Sequence, residues 1–267
     1  MQKKLKEGPL LDKKGHLMES GYHTKPVKSY DRDLVRHKWL KRKEWDYYYV
    51  GNRDYGIALT VADNGYMTMI SVSLLDYNVK KDITRTVINF LPLKGFNLPE
   101  ESGSDDIHIK KKDVSLSIVH VNGKRHLTLE MRNFENGKSL DADLFLNQMN
   151  QDSMVIAVPF ENPKRFYYNQ KINLLKASGK VVFGKETFDF SKNCLGVLDW
   201  GRGSWPYHVV WYWSSLSAYS HNTYIGFNLG YGFGTDLKAT ENMLFVGEKT
   251  YKLEDVVFDI PKEDGQY

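Results

Sequence analysis

Val114-Ser115-Leu116-Ser117-Ile118-Val119-His120-Val121-Asn122-Gly123-Lys124-Arg125-His126-Leu127-Thr128-Leu129 is the stretch that decides the fold. Asn-Gly favours a two-residue type I′ turn, because both residues tolerate positive φ. With that turn at Asn122-Gly123, Ile118 faces Leu127 and Leu116 faces Leu129, while Ser117 and Thr128 share the opposite face. The turn and the hydrophobic alternation select the same register, which is what specifies a hairpin.

Working outward, similar punctuation recurs at Asp63-Asn64-Gly65, Glu135-Asn136-Gly137, Ser178-Gly179, Gly184-Lys185 and Gly247-Glu248. Strand-like runs flank these turns, among them Ile57 to Ala62, Tyr66 to Leu75, Lys180 to Phe183 and Met243 to Val246. Many short strands at regular spacing predict an all-β, mainly antiparallel sandwich or barrel. One helix is expected, Asp31 to Lys43, with Asp31 as its cap and Leu34 with Trp39 or Leu40 facing the body. A break falls at Pro159 to Pro163. The expected organisation is a basic arm with a short helix over 1–43, a β half over 44–158 and a second β half over 159–267.

The single cysteine, Cys194, rules out an intramolecular disulfide. The charged start, Met1 to Lys6, runs into Gly8-Pro9 with no apolar core behind it, unlike a secretory signal. No run reaches the roughly 18 apolar residues of a membrane helix, and a cytoplasmic protein is the expectation. Residues 1–43 hold 13 Lys/Arg against 5 Asp/Glu, a net of +8, which leaves −4 for the rest of a chain whose total is +4. Base-stacking aromatics are not interleaved with these charges, so nucleic acid is not an expected partner. The arm reads as a solvated segment packed on the acidic body, with peripheral contact to an anionic membrane as the other use of its charge. Apolar periodicity is weak over 1–30, so the arm is expected to add little to the cores.

Several chemical motifs fail. Gly137-Lys138-Ser139 imitates the end of a phosphate loop, but Arg132 stands where the first glycine belongs. Gly230-Tyr231-Gly232-Phe233-Gly234 lacks the dinucleotide spacing. The eight histidines show no metal-ligand spacing, and no Gly-x-Ser-x-Gly elbow exists. Neither a cofactor nor a metal is expected.

The informative segment is Leu198-Asp199-Trp200-Gly201-Arg202-Gly203-Ser204-Trp205-Pro206-Tyr207-His208, followed by Val209-Val210-Trp211-Tyr212-Trp213. Four of the six tryptophans lie within fourteen residues. Aromatic walls with a few placed polar groups compose small-molecule pockets, and indole faces stabilise a nearby cation by roughly 0.5–2 kcal/mol. A strand-end pair of Asp199 with Arg202, set among core tryptophans, is the competing reading.

The segment resembles the family known as domain of unknown function 2804. The likeness continues through Phe227 to Gly230 and Thr240-Glu241-Asn242, and reaches back to Glu44 to Tyr48 and Phe166 to Asn169. That family is similar, more distantly, to lipocalin-like proteins that include carotenoid hydratases and AttH-like proteins. The resemblance implies two calycin-like β barrels or half-barrels in tandem, with Asp199 at the position of an alkene-protonating aspartate. Members of that family continue for several strands past the point matching Phe258-Asp259-Ile260-Pro261, so the resemblance implies a C-terminal half over 159–267 that lacks closing strands.

Two functions follow as expectations. The first is a lipocalin-like protein that binds an apolar or amphipathic small molecule, with a hydratase- or cyclase-type activity in which Asp199 and Arg202 are the catalytic candidates. Trp200, Trp205, Tyr207, His208, Trp211, Trp213, Tyr168, Asn228 and Glu241 are its ligand-binding candidates. The second is a non-catalytic binding or scaffold protein in which Asp199 and Arg202 form a structural strut.

Overall fold

The computed structural model describes residues 2–35, 39–91, 94–103, 105–234 and 239–259. The arm contributes three short strands, β1 (Gly8–Pro9), β2 (Gly21–His23) and β3 (Lys28–Ser29). The body follows as β4 (Arg42–Gly51), β5 (Tyr55–Asp63), β6 (Met67–Asp76), β7 (Lys81–Phe90), β8 (Ile107–Lys110), β9 (Val114–Val121), β10 (Lys124–Glu135), β11 (Lys138–Gln148), β12 (Met154–Pro159), β13 (Phe166–Phe183), β14 (Glu186–Asp189) and β15 (Leu195–Ser204). The chain ends its regular structure with β16 (Tyr212–Ser220), β17 (Thr223–Tyr231), β18 (Met243–Val246) and β19 (Lys249–Lys252).

The Asn122-Gly123 hairpin forms in the expected register, pairing Leu127 with Ile118 and Leu129 with Leu116. Both turn residues take positive φ, 50° and 74°. Asn136-Gly137 joins β10 to β11 in the same way, again with both φ positive. Ser178-Gly179 is not a turn. It lies inside β13, where Gly179 pairs with Leu144 of β11 and a Cβ on it would overlap the Asp143 carbonyl. Glycine there serves a close approach of two backbones.

Of the two β barrels or half-barrels expected in tandem, the strands form one half-barrel, a large curled antiparallel sheet; the others make a four-stranded antiparallel sheet and the two-stranded parallel pair of β1 with β3. The large sheet has the path β7-β6-β5-β4-β15-β13-β11-β10-β9-β8, with β12, β14 and β2 attached beside it. The small sheet runs β16-β17-β18-β19. β15 is central: it pairs with β4 on one side and β13 on the other. Its ten residues are all buried, because both of its faces are covered.

The predicted helix over Asp31 to Lys43 is not there in the described residues. Only 3-10 turns form, at Arg32–Leu34 and Trp39–Lys41, and residues 36–38 of the expected helix lie outside the described set. Asp31 does cap, its side chain accepting from the Asp33 amide at 2.9 Å. Tertiary contacts override the helix: the Arg32 guanidinium pairs with Glu44 at 2.8 Å and bonds the Leu98 carbonyl, and Arg42 already begins β4.

The concave core is built from alternate residues of nearly every strand of the large sheet, including Tyr48, Val61, Ile70, Leu116, Leu129, Leu146, Phe166, Tyr168, Leu198 and Trp200. The arm joins it, against expectation. Leu5, Leu10, Leu11 and Tyr30 are buried in this cluster. Sparse leucines without a period still bury when the segment is laid across a sheet mouth, and β2 is held there by pairing with β12. On the other face of β12, β13 and β15 a second cluster, with Met154, Ile156, Val158, Tyr167, Leu174, Met243 and Phe245, seals the small sheet onto the large one. No helix among the described residues is long and apolar enough to cross a membrane.

Candidate functional site

Strand alternation sorts the Asp-Trp-Gly-Arg-Gly block onto two faces. Trp200 and Arg202 point to the concave core; Asp199, Gly201 and Gly203 point to the side where the small sheet lies. The expected Asp199–Arg202 pair therefore does not form. Three residues apart in a straight strand means opposite faces, and no corner intervenes.

Arg202 is fully buried and completely occupied. It pairs with Asp46 at 2.9 Å, donates to the carbonyls of Pro99 (2.7 and 3.1 Å), Trp45 (2.8 Å) and Gly201 (2.9 Å), and stacks 4.3 Å from the Trp200 ring. Burial pushes the Asp46 carboxyl up, with Arg202 opposing it. Tyr168 belongs to this side as well: its ring meets Trp200 edge-on and its hydroxyl donates to the Lys28 carbonyl at 2.9 Å. Arg202, Trp200 and Tyr168, three of the expected site residues, are thus core.

The opposite face holds the candidate site. Pairing across three strands puts Tyr47 of β4, Asp199 of β15 and Lys171 of β13 in one row, and Trp45, Gly201 and Asn169 in the next. A Cβ on Gly201 would overlap the Trp45 indole, so glycine lets that ring lie flat across β15. From there Trp45 Nε1 donates to Asp199 Oδ1 at 3.2 Å. Asn169 Nδ2 donates to the same oxygen at 2.6 Å, and Lys171 Nζ to Oδ2 at 2.8 Å. Asp199 keeps 8% of its surface exposed.

Lys171 is shared. Its Nζ is also 3.2 Å from Glu241 Oε2, 4.6 Å from the Trp213 ring centre and 5.7 Å from that of Phe233. Burial pulls the Lys171 ammonium down, but the two carboxylates outweigh it and the net direction is up. Glu241 moves up too: burial dominates and Asp199 adds to it, against Lys171 and Asn228. Asn228 Nδ2 donates to Glu241 Oε2 at 3.1 Å and its Oδ1 accepts from Trp213 Nε1 at 2.6 Å. A Cβ on Gly230 would overlap the Glu241 carboxyl, so glycine makes room for the acid.

Above this floor opens a cavity of about 540 Å³. Trp45, Tyr47, Trp205, Tyr207, Trp211, Trp213 and Phe233 wall it, and Lys171 and Asp199 reach it from below. Trp205 is the hub, with edge contacts to Trp45 (5.3 Å), Trp211 (5.4 Å) and Tyr167 (5.7 Å). Burial, then Asp199, pushes the Tyr47 hydroxyl up to about 12. A wider opening of about 1080 Å³ lies across Tyr47 and Trp213, but its charged residues, Arg53, Asp54 and Lys192, are surface groups. The buried ionisable residues Lys171 and Asp199 line the smaller one.

The model for Domain of unknown function (DUF2804) matches residues 2–266. The chain belongs to that family. Among solved structures, this DUF2804 chain is similar to an AttH-like protein from Nitrosomonas europaea, with 12% identity, a TM-score of 0.47 and coverage of 86% of this chain and 74% of that one. It is also similar to kievitone hydratase from Nectria haematococca, with 13% identity, a TM-score of 0.47 and coverage of 78% of this chain and 63% of that one. No curated protein matches the sequence.

Of the residues singled out from sequence, the DUF2804 site gathers Asp199, Trp205, Tyr207, Trp211 and Trp213 at the cavity, and Glu241 and Asn228 beneath it. His208 is exposed on the rim against Tyr207 and does not line the cavity. Lys171, Asn169, Trp45, Tyr47, Tyr167 and Phe233 were missed. A signal existed for two of them: Asn169 and Lys171 are polar residues on a strand whose neighbours Phe166 to Tyr168 are aromatic, and a strand that long is covered on both faces.

Proposed function

We propose that this is a lipocalin-like protein that binds an apolar or amphipathic small molecule in the aromatic cavity, with a polar group of the ligand set against Asp199 and Lys171. The observation that carries the reading is a buried lysine held between two carboxylates at the floor of an indole-walled cavity. Burying three ionisable groups costs several kcal/mol that apolar packing would avoid, and perturbed groups of this kind in a cleft point to a functional site. Proton exchange between Asp199 and the ligand is the chemistry the site supports, of hydratase or cyclase type. Trp205, Trp211 and Trp213 then face positive charge developing on the ligand, which their rings stabilise. Arg202 takes no part, since it lies behind the sheet.

A non-catalytic binding role is the second reading. It is favoured by the three donors on Asp199, which occupy both of its carboxylate oxygens. Ligand binding is common to both and is tested first. Native mass spectrometry of the purified protein, followed by tryptophan-fluorescence titration with decanol, decylamine and decanoate, is expected to reveal saturable binding at one site, weakened at least tenfold in Trp205→Ala. No co-purified molecule and no saturable quenching by any of the three would overturn the reading. Saturable binding with no turnover of any bound alkene or alcohol, in wild type and Asp199→Asn alike, favours the non-catalytic role.

A further inference from the structure

The Asp199–Lys171–Glu241 cluster has an unequal count: two carboxylates face one ammonium. Among the described residues, the other groups around Glu241 do not correct it. From β13, Tyr167 lies alongside, its hydroxyl pushed well above its ordinary value by burial and by Glu241 and Asp199. From β19, Lys252 is near enough to feel Glu241, but its ammonium is spent on Thr240 Oγ1 (2.8 Å), the Asn242 carbonyl (2.8 Å) and the Leu253 carbonyl (3.0 Å). It makes no ion pair with Glu241 among the described residues, and Glu254 beyond it adds negative charge. From β17 comes only the neutral Asn228.

Two polar atoms mark what is missing. Glu241 Oε1 and the Tyr167 hydroxyl oxygen are buried and have no hydrogen-bond partner that meets full geometry among the described residues. The Tyr167 hydroxyl lies beside Glu241 and can pair with it in either protonation state; the two carboxylates on one ammonium are what favour a proton on Glu241.

The geometry points to Glu241 as a buried carboxylic acid that stores the proton of the site and relays it through the Lys171 ammonium to Asp199. The step balances without any added reagent. Lys171 Nζ, 2.8 Å from Asp199 Oδ2, passes a proton to that oxygen and takes the Glu241 proton across 3.2 Å at Oε2. The ammonium is restored, Asp199 becomes the acid that faces the cavity, and Glu241 is left as the carboxylate. A ligand that takes the proton from Asp199 leaves one cation and two anions, and solvent then reprotonates Glu241. Glu241 touches no ligand in this scheme; it acts through Lys171. The last transfer rests on the ligand reading above, whereas storage of the proton does not.

The test therefore uses ligand-free, full-length protein. Infrared spectra at pH 7 are expected to contain a carbonyl-stretch band of a protonated carboxylic acid that moves on ¹³C-carboxyl labelling of glutamate and not of aspartate. Wild-type protein suffices for this, so a variant that fails to fold does not end the test. The band should vanish in Glu241→Gln. It should also vanish in Asp199→Asn, because Lys171 then has a single carboxylate to neutralise and Glu241 can ionise. Absence of the band in wild type, its movement with labelled aspartate, or its survival in folded Glu241→Gln or Asp199→Asn would each overturn the proposal.

Discussion

The two faces of β15 carry the same kinds of residue and use them differently. On the concave face, Arg202 is fully buried, yet every direction of its guanidinium ends on an acceptor: Asp46 and the carbonyls of Pro99, Trp45 and Gly201. One cation meets one carboxylate and the remaining donors meet backbone. On the convex face, Lys171 meets two carboxylates and Glu241 Oε1 is bare. The faces differ in charge count: one cation to one carboxylate beside packed aromatic rings, and one cation to two carboxylates at the floor of a cavity.

The contrast is broken or sharpened most strongly by Arg202→Met. Removing the cation strands the Asp46 carboxylate at a depth where its own carboxyl is already pushed up by burial. The expected loss in chemical denaturation is about 3–5 kcal/mol, with cavity binding unchanged in whatever fraction folds. Adding Asp46→Asn should recover a large part of it, since the two residues form one unit. A near-neutral Arg202→Met would mean that the concave face is not the closed structural side described here.

Asp199→Asn comes next and should cost less, about 1.5–3 kcal/mol. Lys171 keeps Glu241 as a partner, so no charge is abandoned. Binding of a ligand with a polar end is expected to suffer more than stability does. A penalty equal to that of Arg202→Met, with binding untouched, would erase the distinction between the faces.

What could be read from sequence was what is local. The β9–β10 register is encoded by Asn122-Gly123 and four alternating aliphatics, and Met243 to Val246 is a strand with the bounds expected. Gly179 was misread because a glycine that admits a neighbouring backbone looks the same in sequence as one that makes a turn. The helix over Asp31 to Lys43 has adequate local signals, but the Arg32–Glu44 pair and the start of β4 overrule them. Asp199, Trp205, Trp211 and Trp213 were singled out because they are close together in the chain, and all four line the cavity. The partners of Asp199 were not. Lys171 reaches Asp199 only through the β13–β15 register, and Trp45 and Tyr47 only through β4–β15. Alternation applied to Asp199 and Arg202 themselves already separates them, because β15 continues through both and the pair does not fall at a strand end.

The smallest expected effect concerns how the concave face is closed. The arm lays Leu5, Leu10, Leu11 and Tyr30 over that core, and a charged clasp holds it: Glu19 pairs with Lys28 at 2.8 Å and Lys3 at 3.1 Å and accepts from the Lys6 amide at 3.0 Å. The bond to Lys28, then that to the Lys6 amide, holds the Glu19 carboxyl down from 4.5 to about 2. A carboxyl lowered in the folded state contributes stability that is fully present above its unfolded value and lost as pH falls through its folded one. The clasp should therefore be intact above about pH 4.5 and open progressively toward pH 2. Glu19→Gln should make the arm more susceptible to proteolysis and hydrogen exchange at pH 6, and the gap from wild type should close across that window. The cavity, on the far side of the sheet, should bind its ligand equally well in both proteins at pH 6. A gap that stays constant down to pH 2 would remove Glu19 as the clasp, and a parallel loss of ligand binding would show that the arm serves the convex face as well.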